Sequence, residues 1–250
     1  MYSNGYIFRF AIIMVVIVAA ILSGAAMVLK PFQERNATNE KMQTILEAAE
    51  VSATAENAQE QYSKYIATEL VVDMEGNIIG QYQDGKMVSG ELRAFDVKLK
   101  EQLKNLQDYK NGKDVQVLLP IYIFDDGSRK LNIIPMQGKG LWGPIYGTIA
   151  LEGDLNTVYG AVFSHKGETP GLGAEIATKD FQQQFKDKTI FDQNGNFVSV
   201  KVVKGGVANS NINPAHGVDA ISGGTITSDG VTDMLKNTFE LYVPYFDKQQ

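Results

Sequence analysis

Residues 115–164 read VQVLLPIYIFDDGSRKLNIIPMQGKGLWGPIYGTIALEGDLNTVYGAVFS, and this stretch decides the fold class. Two apolar runs, Val115 to Phe124 and Leu131 to Met136, flank the turn Asp125-Asp126-Gly127-Ser128. Ile145 to Leu151 and Thr157 to Ser164 flank Glu152-Gly153-Asp154 in the same way. β-Branched and aromatic side chains suit a pleated, half-buried surface, and Gly and Asp supply tight reversals. The reading is two successive hairpins, and therefore antiparallel sheet.

ELVVD-MEGN-IIGQY at 69–82 has the same form and predicts an earlier hairpin. Phe95, Leu99, Leu103 and Leu106 share one face of an amphipathic helix. Thr178 is placed to cap a short helix with Phe181 and Phe185 on its buried side. Thr189–Phe191 and Phe197–Val203 are strand candidates about Asp192-Gln193-Asn194-Gly195. A last helix starts near Ser228, with Val231, Leu235 and Phe239 on one face. Hairpins with helices interspersed define an α+β class containing antiparallel sheet and packed helices.

The segment Phe10 to Leu29, FAIIMVVIVAAILSGAAMVL, holds no charged residue. At about 1.5 Å per residue such a run spans the roughly 30 Å hydrocarbon core of a bilayer. Arg9 before it and Lys30-Pro31 after it read as the interfaces, so one N-terminal transmembrane helix that stays attached is expected. The alternative is a cleaved signal peptide, because Ser23-Gly24-Ala25 is a small-residue triplet of the cleavage kind. Charge leaves orientation open, with Arg9 on one side and Lys30 and Arg35 on the other. An Ala-, Glu- and Gln-rich stretch follows, with Thr38 or Asn39 as its helix cap. The expected plan is a flank over 1–9, the membrane helix over 10–29 and a helical stalk over 30–65. The first part of the soluble domain follows over 66–134, then the site-bearing region over 135–245 and a tail over 246–250.

Composition narrows the chemistry. The chain has 250 residues, a formal charge of −6, no cysteine and two histidines, His165 and His216. Absence of Cys excludes disulfides, thiolate nucleophiles and Cys-ligated clusters, and two histidines make no conventional haem or metal site. An acidic chain is a poor partner for nucleic acid. Any redox work therefore needs an organic cofactor.

Three glycine-dense loops carry the remaining signal: GKGLWGPIYG at 138–147, ETPGLG at 168–173 and DAISGGTITS at 219–228. Glycine punctuates turns in any β-rich protein, but it also lets backbone approach a ligand. The third loop enters a predicted helix, where free backbone N–H groups and the helix dipole favour a phosphate. It is neither a Walker loop, lacking the Gly-Lys-Ser/Thr ending, nor a G-x-G-x-x-G dinucleotide fingerprint. Ser222, His216 and Asp219 offer the residue types of a hydrolytic triad without a G-x-S-x-G elbow, and that reading is set aside.

The string Asp219-x-x-Ser222-Gly223-Gly224-Thr225-x-Thr227-Ser228 resembles the flavinylation motif of the FMN-binding domain family, and the other two loops resemble that family's further signatures. The resemblance covers about 135–245 and implies FMN joined by a phosphoester to Thr225, with Asp219, Ser222, Gly223 and Gly224 completing the motif. Thr227 is the second hydroxyl, and Gly224 stands where the family usually has Ala. For such a cofactor Leu141, Trp142 and Leu172 are the candidates to pack on the ring, the alternative being ordinary core positions. Glu168, Thr169 and the N–H groups of Gly171 to Gly173 are the candidates to bond its polar edge, and Lys204 or Lys201 is the candidate to neutralise phosphate, the alternative for both lysines being a solvent-facing position.

Within the family, chains with this anchor and length resemble flavin-carrying subunits of a six-subunit sodium-pumping NADH:quinone oxidoreductase. The resemblance implies a domain on the periplasmic side of the bacterial inner membrane and a separate flavin transferase that uses FAD. It implies no catalytic or metal residues in this chain, with NADH and ion sites left to partner subunits. The equivalent subunit of the related ferredoxin:NAD oxidoreductase complex is the close alternative. A membrane-tethered scaffold whose loops hold an anion noncovalently is the alternative of another class.

Overall fold

The structure is a computed structural model and describes residues 3–249. Helix α1 runs unbroken from Asn4–Ala48. Lys30-Pro31, read from the sequence as an interface, does not interrupt the helix. A proline inside a helix removes one hydrogen bond, and the helix formers after it (Ala, Glu, Gln, Lys, Met) carry the helix onward. Thr38 and Asn39 consequently lie inside α1 rather than capping a second helix, and Asn39 Nδ2 donates to the Ala55 carbonyl at 2.7 Å. Among the described residues α1 is the one helix long and apolar enough to cross a membrane. Its first buried residue is Met42 and residues 30–38 are all exposed, so about 13 Å of helix, at 1.5 Å per residue, stands clear of the domain.

Helix α2, Ala58–Tyr65, leads directly into β1, Ile66–Val72. Then come β2, Ile78–Gln83, β3, Lys86–Ser89, and helix α3, Leu99–Lys110. The expected hairpins follow as β4, Leu119–Asp125, β5, Lys130–Lys139, β6, Pro144–Leu151, and β7, Val158–His165. One seven-stranded sheet results, in the order β3-β2-β1-β4-β5-β6-β7, with every neighbouring pair antiparallel.

Strand β4 shows why the sheet lies at the centre. Ile121 and Ile123 face one core and Tyr122 and Phe124 the other, as the period of two requires of a strand buried on both sides. The first core lies under helix α5, Thr225–Gln249, through Val231, Leu235, Phe239 and Tyr242. The second lies under the end of α1 and α2, through Ile45, Leu46 and Tyr62. The layers are thus helix, sheet, helix. Residues 246–249, expected as a tail, are the end of α5, and Phe246 is fully buried because it packs beside Tyr242 and Phe191. Gln250, Met1 and Tyr2 lie outside the described residues.

After β7 the chain forms the short helix α4, Lys179–Gln183, with the Thr178 hydroxyl accepting from Phe181 N. The strand expected at Thr189–Phe191 is reduced to single bridges, Thr157 to Thr189 and Phe191 to Phe197. Its backbone donors are taken elsewhere: Asn156 Oδ1 accepts from Ile190 N at 3.0 Å and Phe191 N at 2.8 Å. Of the stretch 197–203 only β8, Lys201–Val203, is strand, and it pairs in parallel with β9, Gly217–Asp219.

Candidate functional site

The loop joining β5 to β6, the loop after β7 and the turn entering α5 converge at one end of the sheet. Together they form an open cleft of about 200 Å³. It is lined by Leu141 and Trp142 from the first loop, Glu168, Thr169, Leu172 and Gly173 from the second, and Gly223 to Thr227 from the third. All were expected except Ile226, whose only signal was its place between two threonines. Leu141, Trp142, Leu172 and Ile226 are exposed, Trp142 by 68%, so the cleft has an apolar rim open to solvent.

The turn into α5 is shaped by Gly223, whose φ of 75° is a left-handed conformation suited to glycine. Gly224 then accepts the first helical bond, from Ser228 N at 2.9 Å. Thr225 is therefore the first residue of the helix, three positions earlier than the sequence suggested. A Cβ at Gly224 would lie 3.1 Å from Ile221 Cγ2 and 3.3 Å from the Leu172 carbonyl carbon, so the glycine that replaces the expected Ala is tightly packed.

The two threonines differ in kind. Thr227 is 2% exposed and its hydroxyl donates to Glu168 Oε2 at 2.6 Å. Thr225 is half-buried at the cleft wall, and its hydroxyl has no hydrogen-bond partner among the described residues.

Glu168 is itself buried, and it does not offer its oxygens to the cleft as expected. Oε1 accepts from Trp142 N at 2.8 Å, Leu141 N also donates, and Oε2 takes the Thr227 hydroxyl. Its own N–H donates to His165 Nδ1 at 3.1 Å. Burial pushes this carboxyl up, but the Thr227 hydroxyl, the two loop N–H groups and nearby His165 together hold it below the ordinary range.

Other expected contacts are committed elsewhere. Gly171 N donates to Glu175 Oε1 at 2.8 Å and Leu172 N to the Thr169 carbonyl at 3.1 Å, leaving Gly173 N of the three expected N–H groups. Asp219 lies on β9 outside the cleft and accepts Val207 N at 2.7 Å, where it ties down the preceding loop. Ser222 is exposed beside the cleft rather than in it, and Lys201 and Lys204 are exposed on β8 and the turn after it. His216 packs on the Thr189 carbonyl at 2.7 Å, bound to an element apart from Ser222.

The FMN-binding domain family matches residues 140–240, which contain all three loops of the cleft except the first residues of the first. The NqrC protein of the Na(+)-translocating NADH-quinone reductase of Pseudomonas aeruginosa is 32% identical over 90% of this chain and 87% of its own length. This chain belongs to the NqrC family. The corresponding protein of Haemophilus ducreyi is 33% identical over 95% of the chain and 91% of its own length, so the family likeness includes helix α1 as well as the domain. The crystal structure of the Parabacteroides distasonis protein superposes with a TM-score of 0.73 at 35% identity, over 87% of this chain and 96% of that one. Shewanella oneidensis NqrC superposes with a TM-score of 0.65 at 27% identity, over 85% of this chain and 97% of that one. The antiparallel sheet with its packed helices is thus an NqrC fold.

Proposed function

We propose that this chain is the electron-transfer subunit of a sodium-pumping NADH:quinone oxidoreductase and carries FMN as a phosphoester on Thr225. The observation that carries the reading is the contrast between the threonines: Thr225 Oγ1 is unpartnered at the cleft, whereas Thr227 is buried and bonded to Glu168. The residues fit a phosphorylated aromatic cofactor. Thr225 opens a 25-residue helix with no acidic residue in its first turn, so the helix end favours phosphate charge. Leu141, Trp142, Leu172 and Ile226 present exposed apolar surface around it for a planar ring.

FMN, when bound, supplies one- and two-electron transfer at its isoalloxazine ring. This chain's residues hold and orient it, and the tether replaces a binding equilibrium by a high local concentration. A threonine hydroxyl is a weak nucleophile, and the cleft offers it no base, since Glu168 is engaged with three donors. Attachment therefore falls to a separate flavin transferase acting on this chain. Helix α1 anchors the chain in the inner membrane with the domain on the periplasmic side. NADH oxidation, quinone reduction and sodium movement belong to the partner subunits.

The test is flavin fluorescence of the full chain on a denaturing gel, after production with its transferase. Thr225→Ala is expected to abolish the band, while Thr227→Ala retains it. A fluorescent Thr225→Ala band overturns the assignment. A colourless wild-type band would instead favour a scaffold that holds its anion noncovalently.

A further inference from the structure

Within the cleft one group is buried, charged and unexplained by contact with a cofactor. We propose that Glu168 is the positioning residue of the FMN site: its carboxylate locks the first turn of α5 against the two glycine loops and leaves a fixed negative charge beside the cleft. This rests on the reading of Thr225 given above.

Three independent features of the molecule converge on this carboxylate. First, its partners come from distant parts of the chain: Trp142 N lies 26 residues before it and the Thr227 hydroxyl 59 after it. Fixing Thr227 fixes the rotation of the helical turn on which Thr225 stands, two residues away.

Second, the loops make room for it. A Cβ at Gly140 would lie 2.6 Å from Glu168 Oε1, and one at Gly173 would lie 2.5 Å from Oε2 and against Thr227 Oγ1. Neither glycine has a left-handed φ, so backbone conformation does not call for glycine at either position. The carboxylate does. Two glycines of the motif loops are thereby explained as a cradle for an acidic side chain.

Third, the hydrogen bonds to the carboxylate come from neutral donors. No Lys or Arg pairs with Glu168 among the described residues, and the one titratable ring beside it, His165, receives its backbone N–H. N–H dipoles and a hydroxyl stabilise a carboxylate without cancelling its charge, and near a buried group that charge is weakly screened and acts on its neighbours. Reduction adds electron density to a flavin. A carboxylate nearby opposes that, so it lowers the reduction potential.

Glu168→Gln separates shape from charge. The Gln carbonyl can keep Trp142 N, and its amide can donate to Thr227 Oγ1, whose proton turns to a carbonyl of the preceding turn. Glu168→Ala removes both shape and charge. The full chain in detergent, flavinylated by its transferase, is compared in three forms by potentiometric titration and by flavin fluorescence anisotropy. Glu168→Gln is expected to shift the midpoint potential upward with anisotropy unchanged, an effect that loss of packing alone would not give. Glu168→Ala is expected to lower the anisotropy as the ring loosens. The proposal is overturned if Glu168→Gln titrates at the wild-type potential, or if a folded Glu168→Ala holds its flavin as rigidly as wild type. A wild-type gel band without fluorescence would defeat the covalent reading itself, and this proposal with it.

Discussion

Glu69 and Glu168 are the two buried charged side chains among the described residues, and they are held in opposite ways. Glu69, on β1 and facing the α1 side of the sheet, meets the Arg93 guanidinium at 2.5 Å, together with the Tyr62 hydroxyl and Phe95 N at 3.0 Å each. Its charge is cancelled by a cation, and the cluster ties the segment around Phe95 to the sheet. Glu168 accepts hydrogen bonds from N–H groups and a hydroxyl, with His165 nearby and no Lys or Arg paired with it among the described residues. A carboxylate paired with guanidinium is part of the scaffold. One held by neutral dipoles is not neutralised by its partners, and its charge acts on neighbouring groups.

The comparison breaks first at Arg93. Arg93→Ala leaves Glu69 buried without its cation, and removing one partner of a buried pair costs about 3 kcal/mol. A marked fall in melting temperature is expected, with unchanged flavin fluorescence per folded molecule. Next comes Gly173→Ala, whose Cβ lands in the Glu168 cradle. Overpacking of this kind costs about 2 kcal/mol, and here flavin fluorescence anisotropy should fall together with stability. Thr227→Val is milder: it deprives Glu168 Oε2 of its donor, at about 1–2 kcal/mol in thermal or denaturant unfolding, with the fluorescence of the denaturing-gel band expected to be unchanged.

The smallest effect is one of pH. The carboxyl of Glu168 is held below the ordinary value of 4.5 in the folded chain. Its contribution to stability is therefore complete above about pH 4.5 and is lost as pH falls through the folded value. The stability advantage of wild type over Glu168→Gln should accordingly narrow on acidification below about pH 4.5 and stay constant above it. An advantage that grew on acidification would reverse the sign assigned to Glu168.

The legibility of this molecule follows the range of its interactions. Strands β4 to β7 could be read because alternation and turn residues such as Asp125-Asp126-Gly127 act within a few positions. Strand β3 escaped because Lys86 to Ser89 are all exposed at a sheet edge and carry no alternation. Strand β9 escaped because its parallel partner β8 lies some sixteen residues away, and a stretch of three residues has no periodicity of its own. The continuity of α1 through Pro31 was hidden by a local rule that the flanking helix formers override. In the cleft, glycines and aromatics marked which loops meet. What Glu168 does there depends on partners far along the chain, and pattern alone suggested a ligand contact where the structure has a cradle.

The unpartnered hydroxyl at the head of α5 is the group we propose to bear the cofactor. Peptide mass mapping of the full chain, purified after production with its transferase, tests it most directly. The peptide containing residues 219–228 is expected to be heavier by one FMN less one water, with fragment ions placing the addition on Thr225. An unmodified peptide, or the addition on Thr227, would contradict it.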